Sequence, residues 1–121
     1  KRALSVLNIL FVVNDSPWGS TLAVTALRMA RAAIAGGHRI DAVFFRGEGV
    51  YNAVAGTATD PDTPELSDAW SRLAGTANAE LLVCQSSARR RLNAPVAAPF
   101  RESGLVEFTD RLDGCDRVVT F

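Results

Sequence analysis

Residues 80–92 read E-L-L-V-C-Q-S-S-A-R-R-R-L. Leu81, Leu82 and Val83 form an apolar run without alternation, the pattern of a strand buried on both faces of a parallel sheet. Cys84 follows where that strand ends. Gln85, Ser86 and Ser87 then open a short helical pattern that closes on Arg89, Arg90 and Arg91. A cysteine at such a junction lies at the carboxyl edge of a sheet, where ligands and chemistry gather in open α/β folds. It also lies at the amino end of a helix, whose unpaired N–H groups and partial positive charge favour thiolate over thiol. Position alone leaves a second reading open, because free cysteine is among the most buried residue types and often acts as a small apolar side chain. The arginines do not decide between the two: cationic side chains suit the last turn of a helix and can simply face water.

The flanking sequence continues the alternation of strand and helix. Residues 5–13 read as a first strand with Ile9, Leu10, Phe11, Val12 and Val13 as its buried run. Residues 14–19 have the composition of a loop, and Ser20 or Thr21 can cap the helix that follows. In that helix Ala23, Ala26, Leu27, Ala30, Ala33 and Ile34 recur at three- and four-residue spacing, and Gly36-Gly37 ends it. Residues 39–45 are a second strand. Thr63-Pro64-Glu65 starts another helix, with Leu66, Ala69, Trp70, Leu73 and Ala77 at helical spacing and Trp70 as a core anchor. Residues 57–64 and 93–100 read as loops. Ser103 can cap a last helix whose apolar positions are Leu105, Val106, Phe108, Thr109 and Leu112, ended by Gly114. Residues 117–121 form the final strand. This order predicts a doubly wound three-layer α/β/α domain with a mostly parallel sheet of four to five strands, the fifth an edge strand concealed in a loop.

The 121 residues predict one domain over 1–121, and a content of 48% apolar and 21% charged residues is that of a globular protein. Thirteen basic and thirteen acidic residues cancel, which argues against nucleic-acid binding driven by bulk charge. The longest apolar run, 9–13, is too short to cross a bilayer. No secretory leader is read in the opening residues, and there are two cysteines without a Cys-x-x-Cys, so a cytoplasmic protein with reduced thiols is expected. One histidine and two separated cysteines argue against a structural zinc site. The Gly19-Ser20-Thr21 turn lacks the spacing and lysine of a phosphate-binding loop, and no G-x-G-x-x-G is present.

Residues 46–58 begin at the carboxyl end of the second strand, on the same edge as Cys84. They carry Gly47, Glu48, Gly49, Tyr51 and Asn52. A plain surface connection is the simplest reading, yet Val50, Tyr51 and Asn52 together are bulkier than a turn requires. Glu48 and Asp15 share this edge and could exchange protons. Trp18, Val50, Tyr51 and Phe100 are large apolar groups in loop-like stretches, which predicts that a partner covers them.

With these two stretches in view, the sequence resembles the DsrE/TusD family of sulfur-relay proteins. The matching pieces are V-F-F-R-G-E-G-V-Y-N-A (43–53), L-L-V-C-Q-S-S-A-R-R-R (81–91) and C-D-R-V-V-T-F (115–121). The opening, from N-I-L-F-V-V-N-D-S-P-W-G-S to M-A-R-A-A-I-A-G-G-H (8–38), also fits. E-G-V-Y-N-A and the C-terminal piece are nearer to the TusD branch than to DsrE. Arg91 replaces a family glycine, and residues 93–102 are a shorter segment than the family's. The resemblance implies a sulfur-carrier or sulfurtransferase subunit in which Cys84 holds sulfane sulfur as a persulfide and passes it on, in a relay of the tRNA 2-thiouridine type. The alternative branch is DsrE-type sulfur oxidation or trafficking. It also implies a heterohexamer with homologous TusC/TusB-like or DsrF/DsrH-like subunits, a TusA-like donor and a TusE-like acceptor, with no membrane and no direct nucleic-acid contact.

That chemistry is thiol exchange, which needs an accessible, partly ionised sulfur and no metal or organic cofactor. Gln85, Ser86 and Ser87 could hold a persulfide anion on their N–H groups. Glu48, Tyr51 and Asn52 are further candidate supports. Arg89 lies more than a turn away and suits the steering of an acidic partner. Cys115, before the last strand, is expected to be structural and too far from Cys84 for a disulfide. Two other classes remain: a scaffold subunit with an inert Cys84, and a small-molecule or nucleotide sensor.

Overall fold

The computed structural model describes residues 6–18, 21–55 and 65–121. The apolar runs become the middle of a five-stranded sheet. β1 (Asn8–Val13), β2 (Arg39–Phe45) and β3 (Glu80–Cys84) are flanked by β4 (Phe100–Ser103) and β5 (Arg117–Thr120), in the order β4-β3-β2-β1-β5. Every pairing is parallel. The central strands lack alternation because both their faces are covered: Leu10 to Val13, Ala42 to Phe45 and Leu81 to Val83 are all buried.

Helix α1 (Leu22–Ala35), helix α2 (Leu66–Ala77) and helix α3 (Gln85–Arg91) follow the first three strands. Ala23, Ala26, Leu27 and Ala30 of α1, Leu66, Ala69, Trp70 and Leu73 of α2, and Ala88 of α3 join the larger core cluster with Phe11, Val43, Phe45 and Val83. Trp70 meets Phe45 edge-on at 5.4 Å between ring centroids, and burying one such ring is worth about 1.5–3 kcal/mol. Helix α4 (Leu105–Asp113) packs on the opposite face, where Phe108 and Leu112 cover Leu10, Ala42, Phe44 and Leu82. Right-handed crossovers require this division. The steps from β1 to β4 run in one direction across the sheet and keep their helices on one face; the return from β4 to β5 puts α4 on the other. Among the described residues no helix is long and apolar enough to cross a membrane.

A register shift between β1 and β2 sets how α4 is held. Ile9 pairs with Ile40 and Leu10 with Ala42, so Asp41 is the extra residue of a bulge. The bulge lets Ile40 and Ala42 face opposite sides of the sheet, one in each core cluster. It also leaves Asp41 to accept a hydrogen bond from Arg111 of α4 at 2.9 Å. Around this pair Arg111 bonds Glu80, Arg101 bonds Glu107 at 2.8 Å and Glu80 at 3.2 Å, and Ser103 donates to Glu107 at 2.8 Å.

The structure corrects several expectations. The concealed edge strand is β4, whose sequence F-R-E-S has no apolar run, and it occupies what reads as loop and helix cap. Gly104, not Ser103, is the α4 N-cap, and Ser103 ends β4. Thr21 stands at the α1 N-cap without a side-chain cap bond, while Gly36 and Gly37 close the helix with φ +88° at Gly37. Ser20, residues 57–64 with Thr63 and Pro64, and Ser5 lie outside the described residues. Residues 47–53 are a 3-10 helix rather than a loop. Val50 and Phe100 are fully or nearly buried members of the larger core, so the core covers them without a partner. On α4 the order is reversed: Leu105 and Val106 are 64% and 78% exposed.

Candidate functional site

Cys84 is the last residue of β3 and lies beside Ser103, the last residue of β4. From these neighbours the chain leaves on opposite faces of the sheet, α3 packing through Ala88 on one and α4 through Phe108 and Leu112 on the other. Adjacent strands whose connections diverge in this way leave a crevice at their carboxyl ends, the position at which open α/β sheets place their chemistry. Cys84 occupies that position, on the α4 side with Phe44 and Leu82, and is 8% exposed.

The residue is also the N-cap of α3. Its Sγ lies 3.5 Å from the Ser86 hydroxyl. Burial pushes the thiol up. It is outweighed by hydrogen bonding from the Ser86 and Ser87 hydroxyls and N–H groups, and the thiol lies below its ordinary value. No side-chain capping bond joins the sulfur to the helix. Cys115 has the opposite environment. Burial and the nearby Asp41 carboxylate push its thiol up, offset in part by Arg111. Cys115 lies just before β5, at the amino edge of the sheet, whereas Cys84 is at the carboxyl edge; both are free thiols.

The 3-10 helix brings a backbone donor to the same corner. The Gly47 N–H donates to the Ser87 Oγ at 3.0 Å. Three contacts anchor this short helix over the end of β1. Arg46 N–H donates to the Val13 carbonyl at 3.0 Å. A Cβ on Gly49 would lie 2.0 Å from that same oxygen, so only glycine permits the approach. Asn52 is fully buried and donates to the Asp15 and Gly49 carbonyls, each at 2.9 Å. The Asn52 Oδ1 has no hydrogen-bond partner among the described residues.

The residues singled out in the sequence thus separate. Ser86 and Ser87 are brought to Cys84, while the Gln85 side chain reaches to 3.9 Å from the place of a Cβ on Gly104. Asn52 holds the 3-10 helix in place. Tyr51 packs on the half-exposed Trp18 at 5.2 Å and lines a cavity of about 380 Å³ with Arg91, Leu92 and Pro95, away from the sulfur. Glu48 is exposed. Arg89 is 69% exposed and 4.0 Å from Glu102, a surface pair of little energetic weight. Among the described residues no cluster of histidine, cysteine and carboxylate side chains is arranged to hold a metal. Ser103 and Glu107 are not among the residues the sequence singles out for this corner; Ser103 donates to Glu107 at 2.8 Å, and their spacing of about one helical turn is the signal that marks them.

The DsrE/DsrF-like family model matches residues 8–121. Sulfurtransferase TusD of Photorhabdus laumondii is 34% identical over 98% of this chain and 100% of its own length. Sulfurtransferase TusD of Pectobacterium carotovorum is 36% identical over 96% of this chain and 100% of its own. The crystal structure of the ychN protein from E. coli superposes with a TM-score of 0.82, covering 96% of this chain and 100% of that one at 20% identity, a likeness of fold. By sequence over nearly its whole length, the chain belongs to the DsrE/DsrF-like family.

Proposed function

We propose that this chain is a sulfurtransferase subunit of a sulfur relay and that Cys84 carries the sulfur. The observation behind this reading is the pairing of a switch-point position with hydrogen bonds that favour the thiolate at Cys84. The name sulfurtransferase carried by relatives at 34–36% identity supports the reaction class. In the step we propose, the Cys84 thiolate attacks the outer sulfur of a donor persulfide. A bond forms between Cys84 Sγ and that sulfur, the donor's S–S bond breaks, and the donor leaves as a thiolate. An acceptor thiolate then repeats the exchange on the Cys84 persulfide and takes the outer sulfur. Electrons balance at each step, and no cofactor enters.

The setting we favour is the relay to tRNA 2-thiouridine, because residues 48–53 and 115–121 follow the TusD wording. The partners are then proteins: a TusA-like donor, a TusE-like acceptor and homologous sister subunits. A reducing cytoplasm suits a working thiol. The test is incubation with a persulfide donor followed by intact mass. Wild type and Cys115→Ser are expected to gain sulfur while Cys84→Ser remains folded and gains none. Sulfur on Cys84→Ser but not on Cys115→Ser would move the site. No gain on either cysteine from any donor would leave a scaffold subunit.

A further inference from the structure

We propose that copies of this chain associate head to tail, the acidic end of α4 in one copy docking on the basic cleft between α1 and α2 of the next. The inference does not depend on the reading of Cys84, which lies at the other edge of the sheet. Net charge is zero, but the charges are sorted by face. α1 carries Arg28 and Arg31 and no acidic residue. Arg31 and Arg72 of α2 line one cavity of about 220 Å³ with Ile34, Leu73 and Thr76. All three arginines are exposed, and among the described residues none has an ion pair. On the opposite face the inner side of α4 is paired, with Arg101 and Arg111 bonding Asp41, Glu80 and Glu107. Its outer side presents Leu105, Val106, Asp110 and Asp113, all exposed, and neither aspartate has an ion pair among the described residues.

Each group of charges is costly where it stands. Two guanidinium groups share one cleft, and like charges at such range repel. Asp113 is the last residue of α4 and Asp110 lies in the same last turn, where the helix macrodipole opposes acids. A single docking relieves both. Asp110 and Asp113 are three residues apart, as are Arg28 and Arg31, so each pair lies along one side of its helix. α1, α2 and α4 each run from the carboxyl edge of the sheet to its amino edge, because each joins two strands of a parallel sheet. The helices of adjacent copies can therefore lie parallel, with Asp110 against Arg28 and Asp113 entering between Arg31 and Arg72. Leu105 and Val106 then sit about one turn nearer the carboxyl edge, level with the half-buried Val24 of α1, and give the contact an apolar centre beside its charged rim. Such a contact is heterologous: each copy offers one face and receives the other, so the assembly closes into a ring or continues as an open array.

The test is the mass of the full chain by light scattering at micromolar concentration, in low and in high salt. Wild type is expected to be larger than one chain and to dissociate as salt rises, because exposed charges are screened. Arg31→Glu with Arg72→Glu sets acid against acid, and Asp110→Arg with Asp113→Arg sets base against base. Each double variant is expected to raise the dissociation constant about a hundredfold or more and to give a single chain. The chain bearing all four reversals is expected to assemble again, since its two faces are once more complementary; a fold defect is not repaired by a second pair of reversals. Melting temperatures in high salt should be close to that of wild type, because all four side chains are exposed. If a double variant does not fold, Arg31→Gln with Arg72→Gln removes the charge alone and must still lower the mass. A wild-type chain that is single in low salt, an assembly indifferent to the Arg31 and Arg72 reversals, or a fourfold variant that stays single overturns the inference. A chain that is single alone and assembles only with homologous subunits also overturns it, and assigns the two faces to them.

Discussion

Cys84 and Ser103 are register partners at the carboxyl ends of β3 and β4, and the chain leaves them on opposite faces of the sheet. That relationship makes the corner a candidate site without needing a large cavity. Cys84 is covered by the α4-side cluster and keeps 8% of its surface exposed. The first turn of α3 supplies hydroxyl donors from one side, and Ser103 carries the polar network of α4 on the other.

The two thiols should be separable by pH. Hydrogen bonding from Ser86 and Ser87 outweighs burial at Cys84 and lowers its value, whereas burial and Asp41 raise that of Cys115. A lower value means more thiolate at a given pH, so the alkylation profile of Cys84 should lie at lower pH than that of Cys115. At neutral pH Cys84 should react about tenfold faster or more, because a free thiol there is only a few per cent ionised. Site-resolved mass spectrometry with a small alkylating reagent measures both. Equal rates, or a faster Cys115, would remove the electrostatic support for Cys84.

Glu107 should mark the acid limit of the α4 contact. The hydrogen bond from Arg101 comes first among the causes that hold its carboxyl down to about 2, with Ser103 and Arg111 adding to it and burial opposing. A value lower in the folded chain than in the unfolded chain stabilises the fold above the unfolded value. That contribution is lost as pH falls from the ordinary glutamate range toward about 2. Glu107→Gln should therefore flatten the fall of stability over this interval and cost stability at neutral pH, where the ion pairs are complete. Urea unfolding at a series of pH values reads both. A wild-type and a Gln variant with parallel pH curves would show that the network contributes nothing to folding.

The sheet is legible in the sequence wherever burial on both faces writes an unbroken apolar run, as at Phe11, Phe44 and Leu82. β4 is not, because an edge strand of four residues with only Phe100 and Ser103 buried has no such signature. The bulge at Asp41 is equally silent, since one extra residue leaves the composition of β2 unchanged. Cys84 is legible because it ends a strand and opens a helix within a few residues. The Gly47–Ser87 bond beside it is not, since it joins a backbone N–H to a hydroxyl 40 residues away in sequence. Val50 and Phe100 illustrate the converse error: apolar residues in irregular sequence read as interface, and both are core.

The surviving candidates for an interface are on α4 and in the loop after β1. Leu105 and Val106 are 64% and 78% exposed, and Trp18 is 44% exposed on top of Tyr51. Apolar groups this open on one helix are covered in a protein that assembles with other subunits. Light scattering at micromolar concentration should give a mass above the monomer, alone or with co-expressed homologous subunits. Val106→Lys should lower that mass while leaving the melting temperature of the fold nearly unchanged, since the side chain is outside the core. A monodisperse monomer under both conditions counts against assembly through this face.

Two glycines should respond oppositely to alanine. Gly75 is an exposed residue within α2, and nothing lies within 4 Å of where its Cβ would be. Gly75→Ala should stabilise the chain by about 0.5–1 kcal/mol, because alanine loses less backbone freedom in a helix. Gly49 has no such space. Its Cβ would stand 2.0 Å from the Val13 carbonyl oxygen and 2.8 Å from the carbonyl carbon, both backbone atoms of a central strand. The strand cannot give way, so the 3-10 helix must lift. Gly49→Ala should cost about 3 kcal/mol or more. It should also carry the Gly47 N–H away from Ser87 and raise the Cys84 thiol in the same variant. Denaturant midpoints measure the first effect and thiolate absorbance against pH the second. A Gly49→Ala chain of normal stability would refute the close approach over β1. A destabilised chain with an unmoved Cys84 titration would separate the anchoring of the 3-10 helix from the tuning of the sulfur.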